Sequence, residues 1–177
     1  MPAQFSPAQA LASARRTLQT EIQGLQHLSA RLDGSFAEAA RLLLDCRGRV
    51  VVSGLGKTGH IARKIAATLA STGTPAFFVH AAEAVHGDLG MITADDVLIA
   101  LSYSGTGAEL LTIVPVVRRM GARLISITGN PDSDLARLAD VHLDASVAQE
   151  ACPLSRAPTA STTASLALGY AVAVACI

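Results

Sequence analysis

Apolar residues along the chain change period partway. Over residues 7 to about 31 they recur at helical spacing: Leu11, Leu18, Leu25 and Leu32 fall seven apart, and Ile22 and Leu28 widen the stripe. Ser6-Pro7-Ala8-Gln9 opens this segment as a capping box with proline at the first helical position. The pattern leaves two partners for the stripe, the chain's own core or a second subunit. Ser35-Phe36-Ala37-Glu38 reads as a second capping box, opening a helix to about Cys46. From Arg49 onward short β-branched runs take over. Residues 50–52, 76–79, 97–101, 124–127 and 141–143 are five candidate strands. Between them lie helical segments over 61–69 and up to Met120, and a short one capped by Asp132-Ser133-Asp134. A last helix begins near Thr159.

Strands alternating with helices specify βαβ units and a parallel sheet. The strands are continuous apolar runs, as a sheet covered on both faces requires. The expected fold class is α/β: a three-layer α-β-α sandwich with a five-stranded parallel sheet, Rossmann-like, and an N-terminal helical extension. Residues 1–47 form that extension, packing on the core or on a partner subunit, and residues 48–177 form the α/β domain. Ligands of such sheets sit at the carboxyl ends of the strands. That rule selects the loops 53–59, 80–90, 102–109 and 146–163.

Gly54-Leu55-Gly56-Lys57-Thr58-Gly59 matches the dinucleotide fingerprint by letters. The fingerprint also wants an acid about 20 positions on, and no Asp or Glu lies between Lys57 and Ala82. A Walker A loop needs glycine where Val51 stands. What remains is a glycine-rich helix start behind Ser53, able to hold an anion. Lys57 is one of two lysines against twelve arginines, which suggests a compact point charge. The 102–109 loop adds Ser102, Ser104, Gly105 and Thr106, neutral donors that suit a phosphate monoester, and Glu109 in the next helix's first turn. His80, Glu83, His86 and Asp88 are capable of binding metal, but their spacing matches no zinc motif. His86 and Asp88 are expected at the cleft edge with no metal, His86 being the one possible ligand. The last loop places Glu150 and Cys152 before Thr159, Ser161 and Thr162. Packing on an amphipathic face does not account for Glu150, and Cys152, with no basic neighbour, reads as structural.

Composition narrows the partners. The 177 residues suffice for one domain. Charged residues make up 16% against a usual ~25%, which favours burial in a homo-oligomer. A net charge of zero argues against nucleic acid. Residues 164–177 are too short an apolar run for a membrane span, and no signal pattern opens the chain. Cys46, Cys152 and Cys176 form no disulfide framework, so a cytoplasmic location is expected. The apolar, uncapped stretch at Ile177 leads to the expectation that the sequence is a piece of a longer polypeptide.

These loops, in this order, resemble the sugar isomerase (SIS) domain. The resemblance rests on Val51-Val52-Ser53-Gly54-Leu55-Gly56-Lys57-Thr58-Gly59-His60-Ile61, on Ala70-Ser71-Thr72-Gly73-Thr74-Pro75 and on His86-Gly87-Asp88-Leu89-Gly90. Glu150-Ala151-Cys152-Pro153-Leu154 and Ala157-Pro158-Thr159-Ala160-Ser161-Thr162-Thr163 narrow it to the D-arabinose-5-phosphate isomerases. The resemblance implies a homotetramer and no cofactor. It implies interconversion of D-ribulose 5-phosphate and D-arabinose 5-phosphate, supplying Kdo for lipopolysaccharide. Lys57, Glu109 and Glu150 are the expected catalytic groups, Glu150 the first choice of base. Ser53, Gly54, Gly56, Ser102, Ser104, Gly105, Thr106, Thr159, Ser161 and Thr162 are the expected phosphosugar contacts. Two departures stand out. The family's Ser-Asn-Ser-Gly-Glu loop reads Ser102-Tyr103-Ser104-Gly105-Thr106 here, which is expected to alter sugar recognition. The family's His-Pro-Gly-Gly segment and its paired CBS domains do not occur within these residues. Rival readings are a non-catalytic SIS module binding a sugar phosphate or nucleotide sugar, an isomerase of another phosphosugar, and a nicotinamide oxidoreductase resting on the glycine pattern alone.

Overall fold

The computed structural model describes residues 5–154 and 156–177, so residues 1–4 of the expected extension lie outside it. The first helix, α1 (Pro7–Ala30), is capped as its sequence predicts, Ser6 accepting from the Gln9 amide. The second, α2 (Gly34–Leu44), is not. Its N-cap is Asp33, whose Oδ1 accepts from the Ser35 amide at 2.8 Å and the Ser35 hydroxyl at 2.6 Å. A carboxylate is the stronger acceptor, so it captures Ser35 as a donor, while Glu38 pairs with Arg41 instead of reaching back.

The remaining elements alternate: β1 (Val50–Gly54), α3 (Gly56–Ser71), β2 (Ala76–His80), α4 (Ala81–Val85), β3 (Val97–Leu101), α5 (Ala108–Arg119), β4 (Arg123–Thr128), α6 (Asp134–Leu138), β5 (Val141–Asp144) and α7 (Ala160–Ala175). A single 3-10 turn, Asp88–Met91, follows α4. Neither α4 nor this turn is apparent in the sequence, because each is too short to show a period. The five strands are all parallel, in the order β2-β1-β3-β4-β5.

Alternate strand residues feed two cores. Val50, Val52, Val97, Ile99, Ile125, Val141 and Leu143 pack under α1, α2, α3 and α7 with Leu28, Leu42, Ile65 and Leu168. Val51, Leu98, Ala100 and Leu124 face α4, α5 and α6 through Ala84, Leu110, Ile113 and Leu135. The three layers are therefore helices, sheet, helices. Both N-terminal helices contribute side chains to the first core. Only the second half of α1 is buried, however, through Gly24 and Leu28. Leu11 and Leu18, each 60% exposed, and Ile22 find no cover among the described residues. Gly169 lets α7 lie against α3, since a Cβ there would overlap the Ile65 side chain.

At the amino end of the sheet, Asp96 is 2% exposed and fully engaged. Its Oδ1 accepts from the Arg49 amide at 2.6 Å, and its Oδ2 from the Thr93 amide at 2.7 Å and the Thr93 hydroxyl at 3.1 Å. Asp96→Ala strands those three donors. We expect a loss of about 2–4 kcal/mol of stability, read as a lowered urea midpoint with the slope unchanged. An unchanged midpoint would refute the clamp.

Candidate active site

The chain reverses direction across the sheet between β1 and β3: the crossover after β1 leads outward to β2, and the next returns past β1 to β3. Such a switch point opens a crevice above the carboxyl ends of the two strands. Register places Gly54 of β1 beside Leu101 of β3, so the segments that follow both strands start side by side.

Two helices start there. The glycine segment after β1 is not a free loop: α3 already begins at Gly56, whose φ of 56° makes the turn out of the strand. Lys57 thus stands in a helix's first turn, exposed and with no partner among the described residues. Leu55, at the N-cap, offers no side-chain acceptor, and the first turn has no acid. Its leading N–H groups and the lysine together favour an anion. After β3, α5 starts from Gly107, also without a side-chain cap. The segment before it folds on itself. Ser102 Oγ accepts from the Gly105 amide at 3.2 Å, and Ser104 Oγ from the Thr106 amide at 3.3 Å and hydroxyl at 3.0 Å. Gly105 adopts φ 68° and presses on Ser133, the N-cap of α6. Glu109, in the first turn of α5, has a carboxylate with no hydrogen-bond partner among the described residues. Ser53 Oγ and His80 Nδ1, at the ends of β1 and β2, are buried and unpartnered among the described residues.

The third cluster is built around Glu150, and the structure explains what the sequence did not. Its Oε2 accepts from the Thr159 amide at 2.7 Å, the Thr159 hydroxyl at 2.8 Å and the Ser161 amide at 3.3 Å. Glu150 therefore caps α7 from nine residues upstream, and Thr159 Oγ1 in turn accepts from the Ala151 amide at 2.8 Å. Burial is the largest single influence on this carboxyl and would raise its pKa. The Ser161 and Thr159 donors together outweigh it and hold the group below the ordinary glutamate value. All three bonds fall on Oε2. Thr162 turns its hydroxyl to the Thr159 carbonyl at 2.8 Å.

His86 and Asp88 stand exposed on the turn after α4, around Gly87 at φ 141°. No three of the described His, Cys, Asp and Glu residues come together as metal ligands, so the His80–Asp88 set does not converge as a ligand group. Among the described residues no helix is long and apolar enough to cross a membrane.

Tyr103, whose presence in this loop is expected to alter sugar recognition, also ties three segments together. Its carbonyl accepts from the Gly129 amide at 2.8 Å, its ring lies over Gly129, and its hydroxyl accepts from the Val147 amide at 3.2 Å. Nothing in the sequence pairs these three positions, because they follow three different strands.

Comparison with known proteins matches the SIS domain to residues 42–175. The curated arabinose 5-phosphate isomerase KdsD of Pseudomonas aeruginosa is 60% identical over 163 residues, 92% of this chain and 50% of that protein. KdsD of Escherichia coli K12 is 53% identical over the same lengths. The chain spans about half the length of the curated relatives it matches. Among solved structures, c3406 of E. coli CFT073, determined in complex with arabinose 5-phosphate, superposes with a TM-score of 0.93 at 42% identity, covering 97% of this chain and 92% of that one.

Proposed function

The chain belongs to the SIS domain family, and from that premise we propose that the whole protein interconverts D-arabinose 5-phosphate and D-ribulose 5-phosphate. One observation carries the reading: two helices without side-chain caps start at adjacent strand ends, with a hydroxyl-rich segment between them. That is a phosphate seat. The phosphate is the handle, and its binding energy holds the sugar's reacting end in place. The names of the relatives at 60% and 53% identity, and the arabinose 5-phosphate complex of the structural neighbour, supply the sugar.

The reaction moves a proton between C2 of the aldose and C1 of the ketose through an enediol. A base removes the C2 proton and delivers it to C1, while a proton leaves the C2 hydroxyl and one reaches the C1 oxygen. Glu150 makes the first transfer, with one oxygen fixed to α7. Lys57 stabilises the developing oxyanion. Glu109 is the second carboxylate and serves the oxygen-borne protons. Ser53, Ser102, Ser104, Gly105, Thr106, Thr159, Ser161 and Thr162 hold the phosphosugar, with Gly54 and Gly56 letting it approach the backbone. His86 and Asp88 border the cleft. No cofactor enters this scheme. The uncovered apolar stripe of α1, with the low share of charged residues, supports a homotetramer. Kdo supply, and with it a cytoplasmic location, follows from the same reading.

The test is NMR of the 177-residue chain with D-arabinose 5-phosphate in D2O. The expected result is ribulose 5-phosphate, with deuterium at C2 of the aldose pool. Broadened sugar lines without turnover would mean that the site binds but that its chemistry needs residues beyond these 177. Binding without turnover by the whole protein would establish the non-catalytic module, a reading that Glu150's lowered pKa supports.

A further inference from the structure

We propose that Tyr103 is a positioning residue. It locks the segment after β3 to the loop after β5, and so fixes Glu150 relative to the phosphate-facing hydroxyls. The inference deepens the isomerase reading and rests on it for its kinetic readout only.

Tyr103 sits between Ser102 and Ser104, so its backbone is part of the proposed phosphate seat. Three bonds or contacts leave it, and they reach two other strand ends. The carbonyl takes the Gly129 amide just past β4. The ring covers Gly129, where a Cβ would overlap three ring atoms, so only glycine admits it. The hydroxyl takes the Val147 amide, three residues before Glu150. Val147 is itself packed against the core beneath α1 and α7. Glu150 is then tied forward to Thr159 and Ser161. One continuous path of hydrogen bonds and packing thus joins the serine segment, the loop after β5 and the start of α7. A shorter polar side chain at position 103 spans less of this gap, because the hydroxyl lies at the far end of a rigid ring.

Tyr103→Phe removes the hydroxyl and keeps the ring over Gly129. A half-buried amide left without its acceptor opens on the order of ten times more often. Amide exchange at Val147 is therefore expected to rise about tenfold, with α5 amides unchanged. In the isomerase assay kcat is expected to fall on the order of tenfold while KM stays within about twofold of wild type. A purely structural tyrosine would lower the melting temperature and leave that split unmoved. Replacing the Val147 amide by an ester removes the same bond from the other side and must reproduce the fall in kcat at unchanged KM. Unchanged Val147 exchange in Tyr103→Phe overturns the proposal, as does wild-type kcat in either variant. If the wild-type chain turns over no arabinose 5-phosphate, the functional reading fails alone, and exchange at Val147 decides the tether by itself.

Discussion

Glu150→Gln is expected to cut isomerisation by roughly 10²- to 10⁴-fold while the chain stays folded. The amide is isosteric, and its carbonyl can keep the Thr159 and Ser161 donors, so the cap on α7 survives. What disappears is the charge and the basicity of the carboxylate. The wild-type carboxyl is held below the ordinary value of 4.5 by those donors, against the opposing effect of burial. Its activity should therefore stay flat through neutral pH, with an acid limb below 4.5. The same sign governs stability. A depressed carboxyl contributes above its unfolded pKa, and that contribution is lost as pH falls through the folded one. The glutamine variant should lose this part of the acid dependence. Steady-state kinetics and acid titration of the fold check both. Full activity in the variant would move the base role to Glu109.

Gly105→Ala is expected to destabilise the protein by about 2–4 kcal/mol and to abolish inorganic phosphate binding. Two costs add. At φ 68° a Cβ is strained against its own backbone. That Cβ also overlaps the Ser133 side chain. Ser133 cannot swing away freely, because its hydroxyl caps α6 at the Ala136 amide. The Gly105 carbonyl meanwhile accepts from the Leu135 amide at 3.1 Å. Loop and helix must part together, and Ser104 and Thr106 move with them. Urea unfolding and phosphate calorimetry measure the two losses. A variant with wild-type stability would show that the loop yields without strain.

The architecture was legible because its signals are long. Buried parallel strands read as unbroken apolar runs, and the five expected runs fall inside the five observed strands. The four loops follow from the strand ends by a topological rule, so their location needed no side-chain detail. What stayed hidden depends on distance in sequence. Asp33 outcompetes Ser35 as a cap through charge, which a motif of residue types does not rank. The helix start at Gly56 turns on one positive φ. Glu150 looked unexplained because the amides it caps lie nine and eleven residues on. Tyr103 looked like a recognition residue because Gly129 and Val147 sit beyond two further strands. In the α1 stripe, spacing shows that a face is apolar but not what covers it. The fold buries Leu28 and leaves Leu11 and Leu18 exposed.

The two open helix starts at the switch point bear on how such a protein can change over generations. The main-chain N–H groups of such a grip cannot be removed by point mutation, which reaches them only through the few residues that shape the turn, such as Gly105. In the proposed reading the sugar end is different: it is held by side chains on a long loop after β5, each replaceable one at a time. Lineages that keep those shaping residues can then exchange one phosphorylated sugar for another at that end while holding the phosphate. Divergence of substrate becomes a walk through binding intermediates rather than a leap across inactive ones.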